Sequence, residues 1–246
     1  VISTKNFIID SKKLIYENGK FREVIDKVIC KGVTTKTTGN VPHGKYVTGD
    51  EYICDVGDGE DKRFFVLGTT GDNVSLIMYA NVGADGKAVT SSSMNKSTVA
   101  WASKEDYIAA GGTESDYGKY GNTNKGPLTL IKTLKEYTST WINISSTQTT
   151  LPTLEQILTS AGKNVSGCDY DTCTCDISRS PQIWFYDYLY GTTHPVSSVY
   201  GYWLSTPLKD NSAWYVLSYG YSNSLILSSN SFGIRPVITI PKSKLN

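Results

Sequence analysis

Two rigid apolar anchors near the end of the chain, Tyr202-Trp-Leu-Ser-Thr-Pro207 and Gly233-Ile-Arg-Pro-Val-Ile238, enclose a run that cannot make a core by itself. From Asn211 to Gly233, Tyr, Ser, Asn and Gly fill 15 of 23 positions, so whatever holds this stretch has to come from its flanks. Tyr gives large amphipathic contact area at low entropic cost, and Ser, Asn and Gly give adaptable hydrogen bonding. That vocabulary suits a binding face. It equally suits an ordinary surface loop, because the same residues are favoured wherever the chain turns.

Composition narrows the class. With 246 residues the chain is long enough to bury a sound core. Its 24 Lys and Arg balance 23 Asp and Glu, so a basic footprint for nucleic acid is poorly supported. Tyr is frequent, at 17 residues, and Met is nearly absent, a balance that with abundant Thr, Ser and Gly reads as a secreted or surface-displayed protein. No apolar run approaches the roughly 18 residues of a membrane span. An export signal would be expected upstream of Val1.

Along the chain, residues 1–32 read as a helical lead-in or stalk remnant. Phe21, Val24, Ile25, Val28 and Ile29 recur at helical spacing, with Gly32 placed as a C′ glycine. The earlier apolar set from Ile2 to Ile15 reads as another helix or, across Asn18-Gly19, as a tight hairpin. Residues 33–44 are a linker of Thr, Gly, Pro and Lys. The main domain spans 45–246. It opens with three strand-like runs, 51–56, 63–67 and 73–78, whose connections carry turn residues and predict an antiparallel meander. Asp55, Asp58 and Asp61 lack the Glu that closes an EF-hand loop, which favours a solvated turn over calcium.

A polar stretch from Asn81 to Lys125 holds a helix over 104–110 capped by Ser103. An amphipathic helix follows over 128–141, then one over 153–160 with Thr153 at the N-cap and Gln156 at N3, the capping-box pairing. Trp184-Phe-Tyr-Asp-Tyr-Leu189 reads as core packing. Strands are expected at 201–205, 213–218, 225–227 and 235–240. Strands, then helices, then strands make an α+β domain whose first and last strands share a sheet.

The five cysteines are an odd number: Cys30 and Cys54 stand alone, and Cys168, Cys173 and Cys175 crowd together. A loop-stapling Cys168–Cys173 disulfide, a structural zinc completed by His194, and buried free thiols are all open. Only His43 and His194 could serve a catalytic cysteine as base.

Leu151-Pro-Thr-Leu-Glu155, Tyr202-Trp-Leu-Ser-Thr206, Ala213-Trp-Tyr-Val216 and Gly233-Ile-Arg-Pro-Val237 occur in an order that resembles the C-type lectin fold, in the branch of formylglycine-generating enzymes and the variable proteins of diversity-generating retroelements. Asp72-Asn-Val-Ser-Leu-Ile77 is similar to the start of gut Firmicutes surface proteins that carry this domain. The resemblance covers residues 45 to 243. It implies antiparallel strands with two main helices and long irregular loops. It makes Trp203, Trp214 and Arg235 scaffold. The ligand face falls on Asn211, Ser212, Tyr219, Tyr221, Ser222, Asn223, Ser224, Ser228, Asn230 and Ser231, with the two tyrosines as rigid anchors. The sugar-binding triplets of calcium-dependent lectins are missing, as are any cysteine after Cys175 and a histidine triad, which argues against those relatives' chemistry. The expectation is a non-enzymatic display domain without metal or other cofactor, on a bacterial, pilus or phage surface, binding a protein or glycan and not nucleic acid. A pilin-like structural module is the alternative, and an enzyme built on the cysteine cluster the third.

Overall fold

The computed structural model describes residues 6–9, 12–17, 20–23, 27–33, 45–86, 88, 98–117, 125–163, 166, 168, 174–176, 201–208, 212–217, 221–226 and 232–246. Its strands form three antiparallel sheets, and with the helices they make an α+β protein.

The smallest sheet is a meander of β1 (Asn6–Ile9), β2 (Lys12–Glu17) and β3 (Lys20–Glu23). The helical lead-in expected over 1–32 is therefore replaced by strands. Glu17 pairs directly with Lys20, leaving only Asn18 and Gly19 between β2 and β3. A two-residue Asn-Gly connection is a strong hairpin signal. Here it outweighs the helical spacing, which short apolar runs share with strands. Nor is Gly32 a helix terminus. It closes β4 (Cys30–Gly32), a strand of the main sheet, so the main domain starts before Lys45.

The main sheet has six strands in the order β4, β5 (Glu51–Asp55), β6 (Asp61–Thr70), β7 (Asn73–Met78), β13 (Val237–Pro241) and β8 (Thr149–Thr150). The predicted meander is β5 to β7, and the chain's last strand inserts beside β7 with Val237 opposite Ile77. Alternate residues of this sheet feed two cores. Phe64, Val66, Leu76 and Ile238 belong to one, which also holds Leu130, Leu134 and Trp141. Phe65, Leu67, Ile77 and Val237 belong to the other, covered by Leu154, Ile157, Leu158 and Ala161. Burial on both faces explains why these strands read as nearly continuous apolar runs.

Among the described residues three α-helices complete the fold. In α1 (Lys104–Ala109), Ser103 is the N-cap and accepts from the Asp106 N–H. The Asp106 carboxylate then accepts from Thr129 and Lys132 of α2 (Leu128–Tyr137), clipping the two helices together. A 3-10 turn, Thr138–Thr140, continues α2 to Trp141. At α3 (Leu154–Ser160) the reciprocal Thr153–Gln156 capping box forms as the sequence indicates. The acidic turn is engaged by protein groups: Asp55 accepts from Lys27 and the Gly57 N–H, and Asp58 pairs with Lys62.

Cys30 and Cys54, isolated in the sequence, face each other across β4 and β5 and form a disulfide spanning 24 residues. Beside it the chain's last residue is tied down, because Gly32 donates to the Asn246 carbonyl and Asn246 to that of Cys30. A loop of this size is worth about 3 kcal/mol of constraint on the unfolded chain. Replacing both residues (Cys30→Ala with Cys54→Ala) should lower unfolding free energy by about 2–5 kcal/mol in urea titrations. Reduction of the unmodified chain should cost at least as much, because it also opens the disulfide at Cys168.

Candidate functional site

The segment singled out in the sequence is built on a second sheet: β10 (Gly201–Pro207), β11 (Ser212–Leu217), β12 (Tyr221–Ile226) and β9 (Thr174–Asp176), in that order. Trp203, Ala213 and Tyr215 enter one core, while Tyr202, Leu204, Trp214 and Val216 enter the other, so β10 and β11 are buried on both faces.

Two indoles join this sheet to the rest. The Trp203 Nε1–H donates to the Val99 carbonyl at 2.8 Å, and the Trp101 Nε1–H donates to the Leu204 carbonyl at 2.9 Å. Both side chains are fully buried. The returning chain threads between them: Phe232 bridges Val99, Gly233 bridges Tyr202 and Ile234 bridges Val82. Phe232 stacks on Tyr215 and meets the Trp203 ring edge-on. Glycine is required at two of these crossings. A Cβ on Gly201 would collide with the Val216 carbonyl, and one on Gly233 would sit 2.8 Å from the Val82 carbonyl oxygen.

Arg235 lies behind the crossing, only 2% exposed. Its Nε–H donates to Asn81 Oδ1, Asn81 in turn donates to the Gly201 carbonyl, and the guanidinium lies over the Tyr202 ring at 4.6 Å. Burial pushes the Arg235 pKa down, against the opposing pull of Tyr202 and Tyr79. Burial also pushes the Tyr202 phenol above its ordinary value, and the Arg235 charge opposes that shift. The Tyr202 hydroxyl is buried without a hydrogen-bond partner among the described residues.

Trp203, Trp214 and Arg235 thus occupy buried positions in the frame. Of the ligand-face candidates, Ser212 begins β11 opposite Ile226 and is half-buried. Tyr221, Ser222, Asn223 and Ser224 are backbone members of β12. On one side Ser222, Asn223 and Ser224 pair with Val216, Tyr215 and Trp214. On the other, Tyr221, Ser222 and Asn223 pair with Asp176, Cys175 and Thr174. The strand expected at 225–227 is therefore at 221–226, because backbone pairing with two neighbours overrides a polar sequence. Asn211, Tyr219, Ser228, Asn230 and Ser231 lie outside the described residues, as do Cys173, Trp184 to Leu189, His43 and His194.

Cys168 is disulfide-bonded, so its thiolate is not available to the zinc site considered with His194. Among the described residues no group of three His, Cys, Asp or Glu side chains converges as metal ligands do. Sequence reasoning missed Trp101 and Asn81, both inside a stretch that reads as polar; the apolar run Val99-Ala-Trp-Ala102 was the available signal. It also missed β9, which lies within the cysteine cluster. The chain matches no protein-family model, no curated protein and no solved structure.

Because the folded pKa of Tyr202 lies above the unfolded value of 10.0, its contribution to stability is intact below that pH. It is lost as pH rises through the window above 10, at up to about 1.4 kcal/mol per pH unit. Tyr202→Phe keeps the ring under Arg235 and removes an unpaired hydroxyl. Its unfolding free energy should match or exceed the parent's at pH 7 and fall less steeply in alkali, with Tyr52, Tyr137 and Tyr215, which burial also shifts upward, supplying the remaining slope.

Proposed function

We propose that this chain is a non-enzymatic ligand-binding display domain with a C-type lectin-like architecture. It presents the Tyr, Ser and Asn residues around β12 to a protein or glycan on another surface. The observation that carries this reading is where β12 sits. The strand is backbone-paired on both sides, next to a β11 that is buried on both faces, while its own sequence, Tyr221-Ser-Asn-Ser-Leu-Ile226, stays rich in the residues of adaptable binding surfaces. A fixed backbone carrying such side chains lowers the ordering cost of binding.

The disulfides at Cys30–Cys54 and Cys168 support an oxidising compartment, in keeping with display on a bacterial, pilus or phage surface. No helix among the described residues is long and apolar enough to cross a membrane. The pilin-like assembly reading drew on a helical lead-in, and strands β1 to β3 remove that support. Diversification by a retroelement is one origin for such a face. An imperfect copy of the codons for Tyr202 to Ile238 beside a reverse transcriptase gene would mark it.

A binding assay tests the reading directly. The purified chain is applied to intact bacterial cells and to an immobilised glycan panel, beside a variant with Tyr219, Tyr221, Asn223 and Asn230 all changed to Ala. The parent should bind saturably. The variant should keep its melting temperature and lose about tenfold or more in affinity. Equal binding by the two proteins, or no saturable binding by the parent, would overturn the proposal.

A further inference from the structure

A cleft of about 620 Å³ opens between α2, β8 and α3; no described residue from 211 to 233 lines it. Its volume falls inside the roughly 300–1,000 Å³ typical of small-molecule sites. Ile131 and Leu134 of α2 and Leu151 beyond β8 supply apolar wall. Most of the hydroxyls in the lining are engaged within the protein. Thr149 donates to the Ser146 carbonyl at 3.0 Å, and Thr153 accepts from the Gln156 N–H at 3.1 Å. Ser205 donates to the Pro152 carbonyl at 3.2 Å, and Thr239 shares a hydrogen bond with Ser75 at 3.0 Å. A wall whose polar atoms are already paired offers a ligand mainly van der Waals contact.

The rim differs. Among the described residues of the lining Lys135 alone is charged, and no described carboxylate pairs with it. The exposed Ser146 and Thr150 hydroxyls likewise have no hydrogen-bond partner among the described residues. The site therefore combines an apolar interior with one positive charge and two hydroxyl donors at its mouth. Among the described residues no aromatic side chain lines it, so none of them offers the ring stacking that favours sugars.

We propose that this cleft binds a small amphipathic acid, its hydrocarbon body against Ile131, Leu134 and Leu151 and its carboxylate at Lys135. The acid group sets orientation and preference, and the apolar wall supplies most of the affinity.

Calorimetric titration with sodium octanoate and with 1-octanol tests this. Octanoate should bind at a single saturable site about tenfold more tightly than the alcohol. Lys135→Met should erase that preference while leaving octanol binding unchanged. Ile131→Asp should weaken both ligands without lowering the melting temperature, since Ile131 is already 37% exposed. Three outcomes would each overturn the proposal. These are no saturable octanoate binding, an acid preference that survives Lys135→Met, or affinities that Ile131→Asp does not change.

Discussion

Trp101 and Trp203 each donate an indole N–H to a backbone carbonyl in the other's segment, an exchange that ties β10 to the 98–102 segment beside the cores shared by the two larger sheets. Each bond alone contributes about 1 kcal/mol. Their weight comes from position: both rings are fully buried, and losing either would leave a buried carbonyl unpaired as well as a cavity. Phe232, Gly233 and Ile234 pass through the same crossing, so the chain leaving the polar segment is captured by backbone pairing at once. It then enters β13, between β7 and the edge strand β8 of the main sheet. The polar segment is thus closed at both ends by buried strands.

Arg235 shows how the crossing tolerates a buried cation. It donates to the Asn81 amide oxygen and lies over the face of the Tyr202 ring, and Asn81 passes the connection on to the Gly201 carbonyl. Desolvating a guanidinium is costly, and Arg is the cation whose planar donors and weak hydration reduce that cost most. Three segments distant in sequence, following β7, opening β10 and preceding β13, are thereby held to one another.

What could be read from the sequence follows physical locality. The meander from Glu51 to Met78 was legible because apolar runs were separated by turn residues, and the Thr153–Gln156 capping box because it is a contact over three residues. The N-terminal region misled. Phe21, Val28 and Ile29 fit helical spacing, yet the Asn18-Gly19 connection and pairing with neighbouring strands decide the outcome. The Cys30–Cys54 bond and the Trp101 hydrogen bond join residues 24 and 103 positions apart, and nothing in local pattern announces either. β12 was misplaced for a related reason. Its polar residues give no periodic signal, and β9 and β11 hold it in place. Five of the ten ligand-face candidates fall in β11 and β12, and their grouping follows from register that the sequence alone does not contain.

The most direct measurement is native-state hydrogen exchange, comparing the amides of β10 and β11 with those of β6 and β7. If the tryptophan exchange makes the two sheets one cooperative unit, the slowest amides in both should open with the same free energy. Trp203→Phe, which removes one indole donor, should then lower both together. Opening of β10 and β11 at a distinctly lower free energy than β6 and β7, with Trp203→Phe affecting only the former, would contradict it.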